Sequence, residues 1–218
     1  DTLAEVGSPH TQFLQVLQAD ISPDGTLYAT AGPDGNVFVR ELLTGTLVQR
    51  LIHSLNTQTV RFSPDGKRVV TTSADSAMVW DLASGKRIGS ALEHGEMVNY
   101  AEFSPDGESL ATASADQTAR IWVWDSDADD WTQMGETIRH SGDVLKAVFS
   151  PDGDLLSTAT DQYIAQVWDA RTGEMVSPPL KHRGSQIFDV RFSGANHVRL
   201  LTLNLLRLWT WELPEAPG

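Results

Sequence analysis

Ser-Pro-Asp-Gly stands at residues 22–25 and returns at 63–66, 104–107 and 150–153. Each copy reads as a tight turn: proline presets φ at the second position, aspartate suits the third, and glycine accepts the left-handed conformation that closes a hairpin. One copy predicts a hairpin and nothing more. Four copies at intervals of 41, 41 and 46 residues predict a repeat, and a period of about 40 to 50 residues points to blades or solenoid coils.

Other columns fall into register around the turns. Each is preceded by an alternating stretch that ends in an aromatic: Val60-Arg61-Phe62, Ala101-Glu102-Phe103, Ala147-Val148-Phe149 and, before a degenerate turn, Val190-Arg191-Phe192. Period-two alternation predicts a half-buried strand. A second short strand follows (69–75, 110–116, 155–161), then a third that reaches Trp80, Trp122, Trp168 or Trp209. Further turns at 41–45, 81–85 and 169–173 lead into a fourth strand. Pro178 and Pro179 inside one fourth strand are tolerable only at a sheet edge, so each unit is expected to run from inner to outer strand.

Composition bounds the function classes. The chain of 218 residues is 40% hydrophobic and 21% charged, as expected of a globular domain with a sizeable core. Sixteen Lys and Arg against 29 Asp and Glu give a formal charge of −13, which works against nucleic acid or an anionic membrane as partner and favours basic or neutral ones. The chain has no cysteine, which excludes disulfides, thiolate metal sites and cysteine nucleophiles, and permits a reducing, cytoplasmic compartment. No apolar run approaches the length of a membrane span. Nothing resembles a phosphate-cradling loop or a zinc site, so no cofactor and no metal are expected. Arg61 and Arg191 could form a local basic spot, which carries little weight against the overall charge.

The order histidine, first strand, turn, Ser-x-Asp and Trp-Asp appears as His94, Ser114-Ala115-Asp116 and Trp122, and again as His140, Thr160-Asp161 and Trp168-Asp169. This pattern resembles the WD-repeat family of β-propellers. It covers essentially the whole chain in units that begin at His10, His53, His94, His140 and His182. The resemblance implies an all-β, single-domain propeller of five four-stranded blades, at about residues 8–51, 52–92, 93–138, 139–180, and 181–218 together with 1–7. Arg40 replaces the tryptophan of the first unit and Asn204 the aspartate of the fifth, so the end units are expected to be looser. Residues 2–6 would supply the outer strand missing after Trp209, closing a monomeric ring and removing both open edges. The alternative is a piece of a longer array, because similar rings most often have seven blades.

A recurring Asp, His and Ser looks like a hydrolase triad, but no oxyanion site accompanies it. The resemblance implies a structural network instead, with His94, Ser114, Thr112, Asp116 and Trp122 satisfying one another in a buried site. His53, Asp75 and Trp80, and His140, Asp161 and Trp168, are the expected counterparts. The acidic segment Asp125–Trp131 has carboxylates at alternate positions, superficially like a calcium loop. Its sixth position is Asp130 rather than glycine, and a solvated loop is the expectation.

The resemblance further implies a non-enzymatic interaction module that docks a protein or peptide, and similarity to propellers appended to bacterial signalling proteins implies a module of a larger protein of that kind. The docking face would be built from loops entering the first strands. Its expected residues are Leu17, Gln58, Asn99, Leu145 and Phe188, with Met97, Asp143 and Gln186 two places earlier. Ala74, Ala115 and Thr160, before the turn aspartates, belong to the same face. Leu145 and Phe188 lead the set, as apolar groups at a loop-rich rim. The rival reading is a five-bladed carbohydrate binder or glycosidase, which needs two carboxylates across the central funnel. The equivalent first-strand positions carry Asp20, Arg61, Glu102, Val148 and Arg191, among which no pair stands out.

Overall fold

The structure is a computed structural model that describes residues 15–53, 56–182, 187, 189–193, 199–203 and 208–212. Every regular element in it is a strand, and strand order within each sheet equals order in the chain. The first sheet holds β1 (Gln18–Ile21), β2 (Leu27–Ala31), β3 (Asn36–Glu41) and β4 (Leu47–Ile52). The second holds β5 (Thr57–Phe62), β6 (Arg68–Ser73), β7 (Ser76–Asp81) and β8 (Arg87–Glu93). In the third are β9 (Val98–Phe103), β10 (Ser109–Ser114), β11 (Thr118–Asp125) and β12 (Asp130–Arg139). β13 (Val144–Phe149), β14 (Leu155–Thr160), β15 (Ile164–Asp169) and β16 (Leu180–Lys181) make the fourth. β17 (Asp189–Ser193), β18 (Arg199–Leu203) and β19 (Leu208–Glu212) form a three-stranded sheet. Antiparallel meanders of this kind, with β1, β5, β9, β13 and β17 side by side in chain order, are the blades of a β-propeller. Residues 2–6, expected to complete the last blade, lie outside the described residues, as do His10 and His197.

The second strands of the three middle blades are buried on both faces, because each of these blades packs on its neighbours in both directions. β6, β10 and β14 show the same profile, five buried residues in succession after a half-buried first. They are rich in Ala, Ser, Thr and Val, which let two sheets approach closely. The core accordingly lies between blades. One cluster joins Val39 and Leu51 to Val60 and Trp80, the next joins Val79 and Leu92 to Leu110 and Trp122, and the third joins Ile121 to Leu156 and Val190. Pro178 and Pro179 immediately precede β16, an outer strand of two residues paired only with β15. That is where a chain lacking two N–H donors can sit.

The repeated turn is built on its serine. Gly107 N–H donates to the Ser104 carbonyl at 2.9 Å, and Ser109 N–H donates to Ser104 Oγ at 2.9 Å. Ser104 Oγ–H in turn donates to Asp106 Oδ1 at 2.5 Å, and this bond holds the Asp106 carboxyl below its ordinary pKa. Ser22, Ser63 and Ser150 repeat the pattern. All four turn glycines have φ between 69° and 82°, where a side chain would be strained. The turns also abut one another. A Cβ on Gly66 would lie 3.7 Å from Pro23 Cδ, one on Gly107 3.4 Å from Pro64 Cδ, and one on Gly153 3.7 Å from Pro105 Cδ. Each proline thus leans on the glycine of the next blade.

Ser104→Ala should lower the stability to urea by about 1–3 kcal/mol, because it strands a buried N–H, whereas Ser126→Ala at an exposed hairpin tip should change it little. Coincident unfolding curves for wild type and Ser104→Ala would show that the serine hub is dispensable.

Candidate interaction face

The loops before the first strands and the turns between second and third strands meet at one end of the blades. In the third blade they carry a complete relay. Trp122 Nε1–H donates to Thr112 Oγ1 at 2.9 Å, and Thr112 Oγ1 meets His94 Nε2 at 2.7 Å. His94 Nδ1 faces Asp116 Oδ2 at 3.0 Å. These partners assign the proton to Nδ1, with Nε2 accepting from the threonine hydroxyl. Asp116 also accepts from Gly95 N–H at 3.0 Å and Thr118 Oγ1–H at 2.6 Å. Burial works to raise the Asp116 pKa, but the donors from Thr118, Gly95 and His94 outweigh it and hold the carboxyl at about 2. Ser114 Oγ bridges the loop, accepting from Asp116 N–H and donating to the Glu96 carbonyl.

Neither neighbouring blade repeats the relay, and the expected counterparts are corrected in both. Trp80 Nε1–H donates to Thr71 Oγ1 at 2.7 Å and His53 Nε2 contacts the same hydroxyl, yet His53 Nδ1 has no partner among the described residues. Asp75 is exposed. The reason is a shorter turn: Ser73 pairs with Ser76, so Ala74 (φ 48°) and Asp75 form a two-residue loop. In the fourth blade Trp168 Nε1–H donates to Thr158 Oγ1 at 2.9 Å, but His140 packs edge-on against Trp168 and interacts with Gln166, with Nε2 unpartnered among the described residues. Trp122 pairs with Leu110 and Trp168 with Leu156. The residue equivalent to Asp116 is therefore Gln162, not Asp161. Gln162 exchanges two 2.8 Å bonds with Ser141, and Asp161 is exposed. Counting six residues back from Trp168, or twelve forward from Ser150, finds Gln162 in the sequence, where matching by residue type stops at Asp161.

The same end carries three irregularities. The ladder between first and second strands shifts register between Thr57 and Thr59, at Ser114 opposite Val98, and between Val144 and Lys146. Gln58, Asn99 and Leu145 are the residues left over in these bulges, which re-aim side chains and sharpen twist. All three are half-buried, and Asn99 Nδ2–H donates across the blade boundary to the Val144 carbonyl at 2.9 Å. Leu17, just before β1, is 38% exposed, and Met97, just before β9, is 44% exposed. Asp143 is half-buried beside β13. Thr160 is corrected: it is only 2% exposed and is part of the interior, because its strand is covered on both faces. Gln186 and Phe188 lie outside the described residues. Tyr163, in the turn beyond Gln162, is exposed at the same end with φ 65° and was not anticipated.

The acidic insert lengthens the third blade. β11 and β12 extend to Asp125 and Asp130, and Trp124 meets Trp131 edge-on at 5.4 Å. Asp125 Oδ1 accepts from Asp127 N–H and Ala128 N–H. Among the described residues no group of three or more His, Cys, Asp or Glu gathers to hold a metal. No described helix is long and apolar enough to cross a membrane.

Comparison with known families agrees with this architecture. The WD domain, G-beta repeat (WD40) model matches residues 45–81, 85–123 and 131–169. Each match runs from near the start of the fourth strand of one blade to near the end of the third strand of the next. Together they cover more than half of the chain, which belongs to the WD40-repeat family. WD repeat-containing protein 1 of Gallus gallus is 33% identical over 82 residues, 35% of this chain and 13% of that protein. Small ribosomal subunit protein RACK1y of Oryza sativa subsp. japonica is 33% identical over 64 residues, 29% of this chain and 19% of that protein. The similarity thus spans less than a fifth of each relative's length.

Burial lowers the pKa of both His53 and His140 to about 4, against about 6.5 in the unfolded chain. Between those values the unfolded chain binds more protons, so stability is full above pH 6.5 and falls as pH drops towards 4. The melting temperature should decline over this window, by on the order of 10 °C. A His53→Gln, His140→Gln double variant should show a flatter profile, and an unaltered slope would contradict the burial of the two imidazoles in neutral form.

Proposed function

We propose that this chain is a non-enzymatic protein-interaction scaffold, which docks a protein or peptide segment on the blade end where the first strands begin. One observation carries the reading: three neighbouring first strands bulge at the same level and lift Gln58, Asn99 and Leu145 out of their ladders. Regular pairing would be more stable, and bulges concentrate where a strand must present a side chain. Leu17 and Met97 add exposed apolar surface at this end. Glu96 and Asp161 are exposed there and Asp143 half-exposed, which favours a segment that combines an apolar anchor with Lys or Arg.

The reading includes a monomeric ring formed by residues 1–218 as one domain, located in the cytoplasm and belonging to a larger bacterial signalling protein. With a net charge of −13, neither nucleic acid nor an anionic membrane is the partner. The glycosidase-like alternative is weaker. Among the described residues, the funnel at the opposite end is lined by a single carboxylate, Glu102, and a pair is required.

The test is to isolate a partner by affinity capture, purify it, and titrate it against wild type and a Leu17→Ala, Met97→Ala double variant. Binding should weaken at least tenfold, as for apolar anchors in other interfaces, with the melting temperature unchanged. Unaltered affinity would move the docking site away from this end of the blades.

A further inference from the structure

The first strands end at the Ser-Pro-Asp-Gly turns, about 17–20 Å from the proposed docking end for strands of this length. There the residues of four blades enclose a funnel of about 330 Å³. Its rim is apolar: Phe62, Phe103, Phe149 and Phe192 close the strands, and Pro64, Pro105 and Pro151 begin the turns. The turn aspartates at this end are absent from its lining, because each is tied to its serine.

Polar groups converge below that rim. Arg61 Nη1–H donates to Asp20 Oδ1 at 2.9 Å, while Arg61 Nε is buried and has no partner among the described residues. Arg61 and Lys146 stand 5.5 Å and 5.1 Å from the centroid of the Tyr100 ring. Arg191, 52% exposed at its side chain, and Lys146 share Asp189. Among the described residues Glu102 is the only acid in the wall, and it is already engaged: Oε1 accepts from Phe149 N–H at 3.0 Å and Oε2 from Tyr100 Oη–H at 2.8 Å. In a chain that carries −13 overall, cations are not outnumbered at this point.

We infer that the funnel at the Ser-Pro-Asp-Gly end is a binding site for a small organic anion, a carboxylate carried on a flat apolar body. The carboxylate would meet the guanidinium of Arg61, whose unpartnered Nε offers a donor in the fork geometry that carboxylates match. Arg191 would attract it at the mouth. The phenylalanine and proline rim would flank the apolar body, in the usual pattern of an apolar pocket with a few convergent polar groups. The volume is at the small end of the range of ligand pockets, about 300–1,000 Å³, and suits one or two fused rings in place of a peptide.

The probe is 2-naphthoate, titrated into the ¹⁵N-labelled chain, with neutral 2-naphthamide alongside. The carboxylate should shift amide signals of Phe103, Phe149 and their turns with a Kd of about 0.1–1 mM for a ligand of this size, and the amide should bind at least fivefold more weakly. Arg191→Ala, on an exposed side chain, and Arg61→Lys, which keeps the charge but not the fork, should each weaken 2-naphthoate at least fivefold. Leu17→Ala with Met97→Ala should leave it unchanged, which separates this site from the docking end. No shift below about 5 mM, equal binding of acid and amide, or indifference to both arginine variants would overturn the assignment.

Discussion

A propeller blade has an inner edge, and every inner edge leaves backbone donors and acceptors without a strand to pair with. Unpaired backbone groups cost free energy when shielded from water, and exposed edges invite aggregation. Here side chains of one blade satisfy the edge of the next. Gln18 Oε1 accepts from Val60 N–H at 3.0 Å and Asp20 Oδ2 from Phe62 N–H at 2.9 Å. Glu102 Oε1 takes Phe149 N–H, and Asn99 Nδ2–H reaches the Val144 carbonyl. The inner residues that cap an edge are accordingly polar and long enough to cross a blade boundary. The charged residues Asp20 and Glu102 are first of all edge caps, which is why two carboxylates on inner strands do not amount to a catalytic pair.

The same constraint explains the repeated turn. Blades held together only by side chains across their inner edges would splay at the ends of those strands, where the chain reverses. A serine whose oxygen both accepts from the outgoing strand and donates to the turn aspartate fixes the turn internally. The proline of one turn beside the glycine of the next then fixes neighbouring blades. At the opposite end the His-Thr-Trp relay has a comparable part, but only the third blade completes it with an aspartate. The other two leave an imidazole nitrogen without a partner among the described residues, and so link the stability of the fold to pH.

Strand order, turn positions and the interior place of Trp80, Trp122 and Trp168 were legible because each rests on a local pattern: alternation, a turn tetrapeptide, a bulky residue at a fixed spacing. The aspartate counterparts were misread for a reason of the same kind. Asp161 was matched to Asp116 by residue type, whereas β10 and β14 are both six residues long and the twelve residues that separate Ser104 from Asp116 lead from Ser150 to Gln162. A single-residue slip moves a side chain from the network to the solvent. Cross-strand pairing with Trp168 agrees with the count. Thr160 was misplaced by the same slip. The bulges at Gln58, Asn99 and Leu145 were chosen as positions without any sign that they were bulges, because a register shift is a property of two strands and neither strand alone encodes it.

The parts that repeat and the parts that differ divide the molecule into frame and surface. Ser-Pro-Asp-Gly, the tryptophans and the small residues of β6, β10 and β14 recur because every blade has the same edge to cap and the same two faces to bury. The equivalent first-strand positions carry two carboxylates, Asp20 and Glu102, two arginines, Arg61 and Arg191, and Val148. Val148 shows that the frame tolerates an apolar residue at this level, whereas Arg61 keeps a buried nitrogen without a partner among the described residues, at a cost in stability. Arg61 beside the funnel and the bulged, exposed groups at the opposite end therefore give the two ends of the inner strands different chemistry on one frame.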